Sequence, residues 1–234
     1  MRRSLATSLA LGLAGALSLS ALPAGASAPT ATSVLGAAKK AIAGESGVHI
    51  VVAAVSGKTS NKVVADLGAK TGMESVTSGK AQATVKVTDK AAYIGGNSTG
   101  LTSLIGLTAA QVKKVGKLWI SVKSGTSEYT QLKTETTIAA VASILPNATG
   151  TALTTGQAGT SPLYILKWTV AATSTAPKLS DTVKLQAKGA TLPVEEDETD
   201  SAGSGSTKFT KWGEHVSISP PATASTIDIS KVTG

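Results

Sequence analysis

Three sets of residues in this chain have types and spacings that could do chemistry. The first is Gly96-Asn97-Ser98-Thr99-Gly100. It has the form G-x-S-x-G, which serine hydrolases use to present a nucleophile on a sharp strand-to-helix turn. Asp181 and His215 follow it, in the hydrolase order of nucleophile, acid and histidine. The second set is the carboxylate run Glu195, Glu196, Asp197, Glu198 and Asp200. Carboxylates bind hard cations, but an EF-hand loop needs D-x-[DN]-x-[DN]-G, and the run lacks that spacing. The third set is the two histidines, His49 and His215. The chain has no cysteine, which excludes cysteine-built zinc and iron–sulfur sites and any disulfide framework. S-x-x-K is absent, so lysine-activated serine chemistry has no basis.

The elements that must position these residues argue against a hydrolase. A nucleophile elbow needs a strand delivering serine above a parallel sheet, and the run before it (Ala91, Ala92, Tyr93, Ile94) holds one branched residue. Most surrounding segments read as antiparallel strands. Ala81 to Thr88 alternates, with Ala81, Ala83, Val85 and Val87 on one face and Gln82, Thr84, Lys86 and Thr88 on the other. Val48 to Val55, Lys62 to Leu67, Met73 to Thr77 and Leu118 to Val122 read as further strands, as does Tyr129 to Lys133. So do Thr151 to Thr155, Leu163 to Ala172, Thr182 to Lys188, Leu192 to Thr199, Thr207 to Trp212 and Val216 to Ser219. Ser201 to Ser206 reads as a flexible hairpin tip and Ile227 to Val232 as an edge strand. His49 then lies in a strand, where a hydrogen-bonded sheet histidine is expected. The acidic run lies on a strand, where neighbours point to opposite faces and do not converge on one ion; it reads as a negatively charged strand end.

Helices are few. Ser33 caps one running to about Glu45, with Val34, Leu35, Ala38, Ala41 and Ile42 on one side. Thr108 and Gln111 form a T-x-x-Q capping box before a helix stopped by Gly116. Ile138, Val141, Ala142 and Leu145 make a narrow apolar stripe closed by Pro146. Leu101, Leu104 and Ile105 share helical spacing, with Asn97 or Ser98 as the cap. No β-α-β repeat occurs, so the class is α+β with a large antiparallel sheet.

Arg2 and Arg3, the apolar Leu5 to Leu22 and Ala24-Gly25-Ala26 read as a secretory signal peptide, residues 1–26. Residues 27–32 are a short linker and residues 33–234 one domain. The expected location is therefore outside the cell, free or wall-associated. The formal charge of +8 includes Arg2 and Arg3 and is otherwise carried by scattered lysines. Only three Trp, three Tyr and one Phe are available to stack on bases, so nucleic acid is not an expected partner. Asn97-Ser98-Thr99 and Asn147-Ala148-Thr149 match glycosylation sequons.

The stretch KFTKWGEHVSISPP, residues 208–221, resembles the C-terminal end of the mycobacterial LppX/LprG-type lipoproteins. Trp212, Gly213, Glu214, Val216, Pro220 and Pro221 carry the likeness. GVHIVVAAVSG, KAAYIGGNSTGL and KLWISV are similar to the family's opening and central segments. The resemblance implies a fold like the LolA and LolB carriers: a strongly curved antiparallel half-barrel over a few short helices, with an apolar cavity between them. It implies binding and transport of acylated lipids or glycolipids. Family members carry a lipidated cysteine after the signal peptide, and this chain has none.

The expectation is thus a secreted, monomeric, non-enzymatic carrier of acyl-chain ligands, with possible contact to membrane or wall and with no cofactor or metal. The residues expected to line its cavity are Val52, Val85, Leu101, Leu104, Ile105, Leu107, Leu118, Ile138, Val141, Leu145, Leu166 and Trp168. The rival readings are an envelope sensor with a protein partner and an esterase using Ser98.

Overall fold

The structure is a computed structural model that describes residues 28–173 and 177–233. The signal peptide expected over residues 1–26 lies outside the described residues. Twelve strands form one sheet: β1 (Gly47–Ser56), β2 (Thr59–Gly68), β3 (Gly72–Ser78), β4 (Ala81–Val87), β5 (Ala91–Gly96), β6 (Trp119–Lys123), β7 (Ala152–Ala158), β8 (Ser161–Val170), β9 (Leu179–Gln186), β10 (Pro193–Thr199), β11 (Gly203–Thr210) and β12 (Thr226–Asp228). Their order is β12-β6-β5-β4-β3-β2-β1-β11-β10-β9-β8-β7. β12 pairs parallel to β6, and the other ladders are antiparallel. The sheet is two meanders, β1–β6 and β7–β11, joined edge to edge along β1 and β11. It is open and curved, an α+β half-barrel with short helices on its inner face.

The helices are α1 (Ala31–Gly44), α2 (Ser98–Ser103), α3 (Ala109–Val115), α4 (Ser127–Glu135), α5 (Ala139–Ala142) and α6 (Ile229–Thr233). They gather in two groups over the sheet. α1 turns Val34, Leu35, Ala38 and Ile42 inward, and with Ile138, Val141 and Leu145 they cover β1, β2, β8, β9 and β11. α2, α3, α4 and α6 cover β4, β5 and β6 through Leu101, Val115, Tyr129 and Val232. Two cores therefore share one sheet. Each fully buried Leu, Ile or Val contributes roughly 1.5–3 kcal/mol of transfer free energy, so both cores matter to stability.

Several elements differ from their sequence reading for local reasons. α1 is capped by Thr30, whose side chain accepts from Ser33 N at 3.2 Å while Ser33 Oγ accepts from Thr30 N at 3.0 Å. Tyr129 to Lys133 is not a strand but part of α4. Thr126 caps it by accepting from Tyr129 N, and Tyr129 donates its hydroxyl to Thr88 O at 2.8 Å. The stripe from Ile138 to Leu145 is regular only over α5, and its flanks are held by tighter i to i−3 bonds. Val216 to Ser219 runs extended but joins no ladder. It is held by Thr71 Oγ1 on Val216 O and Lys86 Nζ on Ser219 O. The hairpin after β10 is tight, because Asp200 Oδ1 accepts from Ala202 N and Gly203 N and β11 begins at Gly203. At the far edge β12 is three residues long, and Asp228 caps α6 through Ser230.

Candidate functional site

Strand alternation and register decide which side chains share the inner face. Across β8, β9, β10, β11 and β1, one row reads Trp168, Asp181, Glu198, Gly205 and Ala54. The next reads Leu166, Val183, Glu196, Thr207 and Val52. Leu166 and Val183 belong to the first core, so both rows face the helices. The acidic run therefore splits by parity. Glu196 and Glu198 point inward with Asp181, while Glu195 and Asp197 point outward. The expected strand end is instead an interior strand, since β10 lies between β9 and β11.

The two halves of the run meet different surroundings. On the outer face Lys184 Nζ donates to Glu195 Oε2 at 2.5 Å and to Asp197 Oδ2 at 2.9 Å. Burial works against the Lys184 charge, but those bonds and charges hold its pKa above the usual lysine value. On the inner face no lysine or histidine forms an ion pair with Asp181, Glu196 or Glu198 among the described residues. Asp181 is 7% exposed, and its Oδ1 is buried without a hydrogen-bond partner. Burial raises its pKa to about 6. Burial, then the charges of Asp181 and Glu198, push Glu196 to about 8, against a hydrogen bond with Thr207. Burial, then Asp181 and Asp200, push Glu198 to about 7.

This acidic group lies near the rim. On the outer face of the same edge, Asp197, Ser206, Ser204, Thr199, Val55 and Ser60 line a surface depression of about 440 Å³. Val170 is in phase with Trp168 one step outward and is 45% exposed, so the lip of the inner face is apolar. Toward the middle of the sheet, Val52, Val63 and Val76 align across β1, β2 and β3. All three are half-buried, and Val63 and Val76 belong to neither core. They form an apolar row, flanked toward Gly72 by the inner-face Glu74, which pairs with Ala65 and Val85. Beyond Glu74, Thr136 closes that end, with its carbonyl against the Gly72 α-carbon where a Cβ would collide. At the other lie Asn61 and Ser78, beside the row of Glu198.

The twelve residues expected around a cavity fall on both sides of this strip. Ile138, Val141, Leu145 and Leu166 are buried in the first core, with Val52 and Trp168 partly buried against it. Val85 and Leu101 are buried in the second core, with Ile105 and Leu107 packed on it. Leu104 and Leu118 are half-buried and belong to neither. The sequence reading takes Glu196 and Glu198 as part of a charged strand end and Asp181 as a hydrolase acid, and misses that the three share the inner face. Asp181 is in phase with Val183 and Leu185, and that phase was the available signal.

The hydrolase constellation does not assemble. β5 is antiparallel to both neighbours. Asn97 Oδ1 accepts from Gly100 N at 2.7 Å and Asn97 Nδ2 donates to Lys80 O at 2.8 Å, so the motif is a capped turn. Asp181 is on the inner face of β9, and His215 is exposed in the segment after β11. His49, Asp66 and Glu214 do approach one another, with one ligand atom each within 4.8 Å. Each of the three already has a partner: His49 Nδ1 lies 2.6 Å from Asp66 Oδ1, and Lys211 Nζ lies 3.8 Å from Glu214 Oε2.

No protein-family model matches this chain, and no curated protein matches its sequence. Solved structures do match its fold. The Mycobacterium tuberculosis lipoprotein LppX superposes with a TM-score of 0.50 at 16% identity, covering 80% of this chain and 99% of that one. LprF from Mycobacterium bovis gives a TM-score of 0.47 at 16% identity, covering 82% of this chain and 97% of that one. The chain has the fold of LppX over nearly the whole of that protein.

Proposed function

We propose that this protein is a non-enzymatic binder and carrier of acyl-chain ligands, exported and acting as a monomer in the cell envelope. The observation that carries the reading is the strip of Val52, Val63 and Val76 on the inner face. The row is apolar and half-buried, lies between two helix-backed cores and ends at a polar rim, while on its other side Glu74 stands between Val76 and the end closed by Thr136. Small branched side chains there leave a methylene chain room to lie along the strands. Leu101, Ile105 and Leu107 on one flank, and Ile138, Val141 and Leu145 on the other, sit on elements that would part to admit it. Leu104 and Leu118 complete the set. The fold shared with the lipoprotein LppX supports the same reading.

The chemistry is burial without covalent change. Each methylene moved from water onto the strip contributes about 0.8 kcal/mol, or about fourfold in affinity. The test is native mass spectrometry of the mature protein purified from its own host, with solvent extraction of whatever it carries. The expected result is a co-purifying amphiphile, and affinity that climbs with chain length across a homologous alcohol series. If nothing co-purifies and no alcohol binds, the carrier reading fails.

A further inference from the structure

The inner carboxylates are out of place in an ordinary core. Three acids share one patch of the concave face, and the strands around them do not lack lysine. Lys62, Lys167, Lys184 and Lys208 all lie on the opposite face of the same region, by register with Ala53, Thr182 and Glu195. The cations are therefore segregated from Asp181, Glu196 and Glu198, although the chain has 22 Lys and Arg against 14 Asp and Glu. Separately, the Asp181 side chain is more than nine-tenths buried and leaves Oδ1 without a donor. A buried acceptor left unsatisfied costs about 1–3 kcal/mol. The register sets it beside both glutamates: Asp181 pairs with Glu198, and Glu196 pairs with Val183, the next residue in phase on β9. Trp168 is next to Asp181 across β8, and an indole face attracts cations. Glu198 is half-buried one residue from the end of β10, level with Gly205, Ala54 and Asn61 where the strip reaches the polar edge.

We propose that Asp181, Glu196 and Glu198 form a receptor for an ammonium group, and that the carried ligand is an amphiphile with a cationic head. This rests on the carrier reading: the acyl chain lies on the Val52–Val63–Val76 strip and the head turns to the acids at the rim. An ammonium supplies the N–H donor that Asp181 Oδ1 lacks. It also supplies the positive charge that Glu195 and Asp197 on the outer face obtain from Lys184. An anionic head would be repelled from the same position. The neighbouring inner-face groups, Trp168, Thr207, Ala54 and Gly205, carry no charge to alter that sign.

The test is calorimetric titration of the mature protein at pH 8 with decylammonium, decanol, decanoate and butylammonium, each below its micelle concentration. Decylammonium is expected to bind about tenfold or more tighter than decanol, with decanoate weakest. In E196Q/E198Q the ammonium preference falls to within about twofold, while decanol binds as before. Retained decanol affinity shows that the variant is folded; if it is lost, the single variant E198Q, closer to the rim, takes its place. Equal affinity for the three heads, or a preference for decanoate, overturns the ammonium receptor and leaves the carrier reading standing. Butylammonium binding as tightly as decylammonium overturns the amphiphile and assigns a site for free amines. If no chain-bearing probe binds, both readings fail together.

Discussion

Gly100 shows how one residue decides what the G-x-S-x-G stretch does. Its α-carbon lies against the backbone of Gln82, and a Cβ there would overlap Gln82 N, C and O. Backbone cannot rotate away as a side chain can, so Gly100→Ala should cost about 3 kcal/mol and lower Tm by several degrees. Ser98 is exposed at the first residue of α2, so Ser98→Ala should change stability by less than about 0.5 kcal/mol. Thermal melts of the two variants separate the readings: a large loss at Ser98 with none at Gly100 would refute the packing account. The inner acids make a pH prediction. Asp181, Glu196 and Glu198 hold protons more tightly in the folded chain than their reference values of 3.8, 4.5 and 4.5. Between about pH 4 and 8 the unfolded chain therefore holds fewer protons, and stability falls as pH rises. Besides Asp200 on their own hairpin, these acids face the uncharged Trp168, Thr207, Val52 and Ala54. Tm should be highest near pH 4–5 and lowest near pH 8, and E196Q/E198Q should flatten that slope. A wild-type Tm that rises from pH 5 to 8 would exclude the assignment.

At the scale of elements, alternation was legible where one face is buried and the other polar. Ala81 to Val87 shows this, and so does the T-x-x-Q box, whose Thr108 and Gln111 bond reciprocally. It was not legible where a cap overrides β-propensity. Tyr129, Thr130 and Leu132 favour neither state strongly, and Thr126 decides for the helix by accepting from Tyr129 N. Thr126→Ala should therefore cost about 1 kcal/mol and loosen α4. Amide exchange should rise at Tyr129 and Thr130 while β6 stays protected; unchanged exchange there would show that packing alone forms the helix. The candidate site was half legible for a related reason. A strand of five acidic or polar residues advertises solvent, yet β10 is an interior strand, and its parity delivers Glu196 and Glu198 to the inside. That parity depends on which strands flank β10, and pairing across β1 and β11 links residues about 150 positions apart. No local pattern carries that information.

At the scale of the molecule, joining two meanders along β1 and β11 creates both the strip and its rim. The first core bridges both meanders, over β1 and β2 of one and β8, β9 and β11 of the other. Joined, they bring the two helix groups together at Thr136 over Gly72, and leave Val63 and Val76 of β2 and β3 only half-buried toward the other end of those strands. A ligand on this row would lie beside the first core at Val52 and end at Val76 on β3, the strand next to β4 of the second core. Binding should therefore protect the middle of the sheet rather than its edges. Hydrogen exchange with saturating decylammonium is expected to slow amides of β1, β2 and β3, and of β10 and β11 near Glu198 and Gly205. β7 and β12, at the two edges, should be unchanged. Slowing confined to an edge would place the ligand in a different groove. Uniform slowing across all twelve strands would instead report global stabilisation, and E196Q/E198Q would then separate the rim from the strip by losing only the β10 and β11 component.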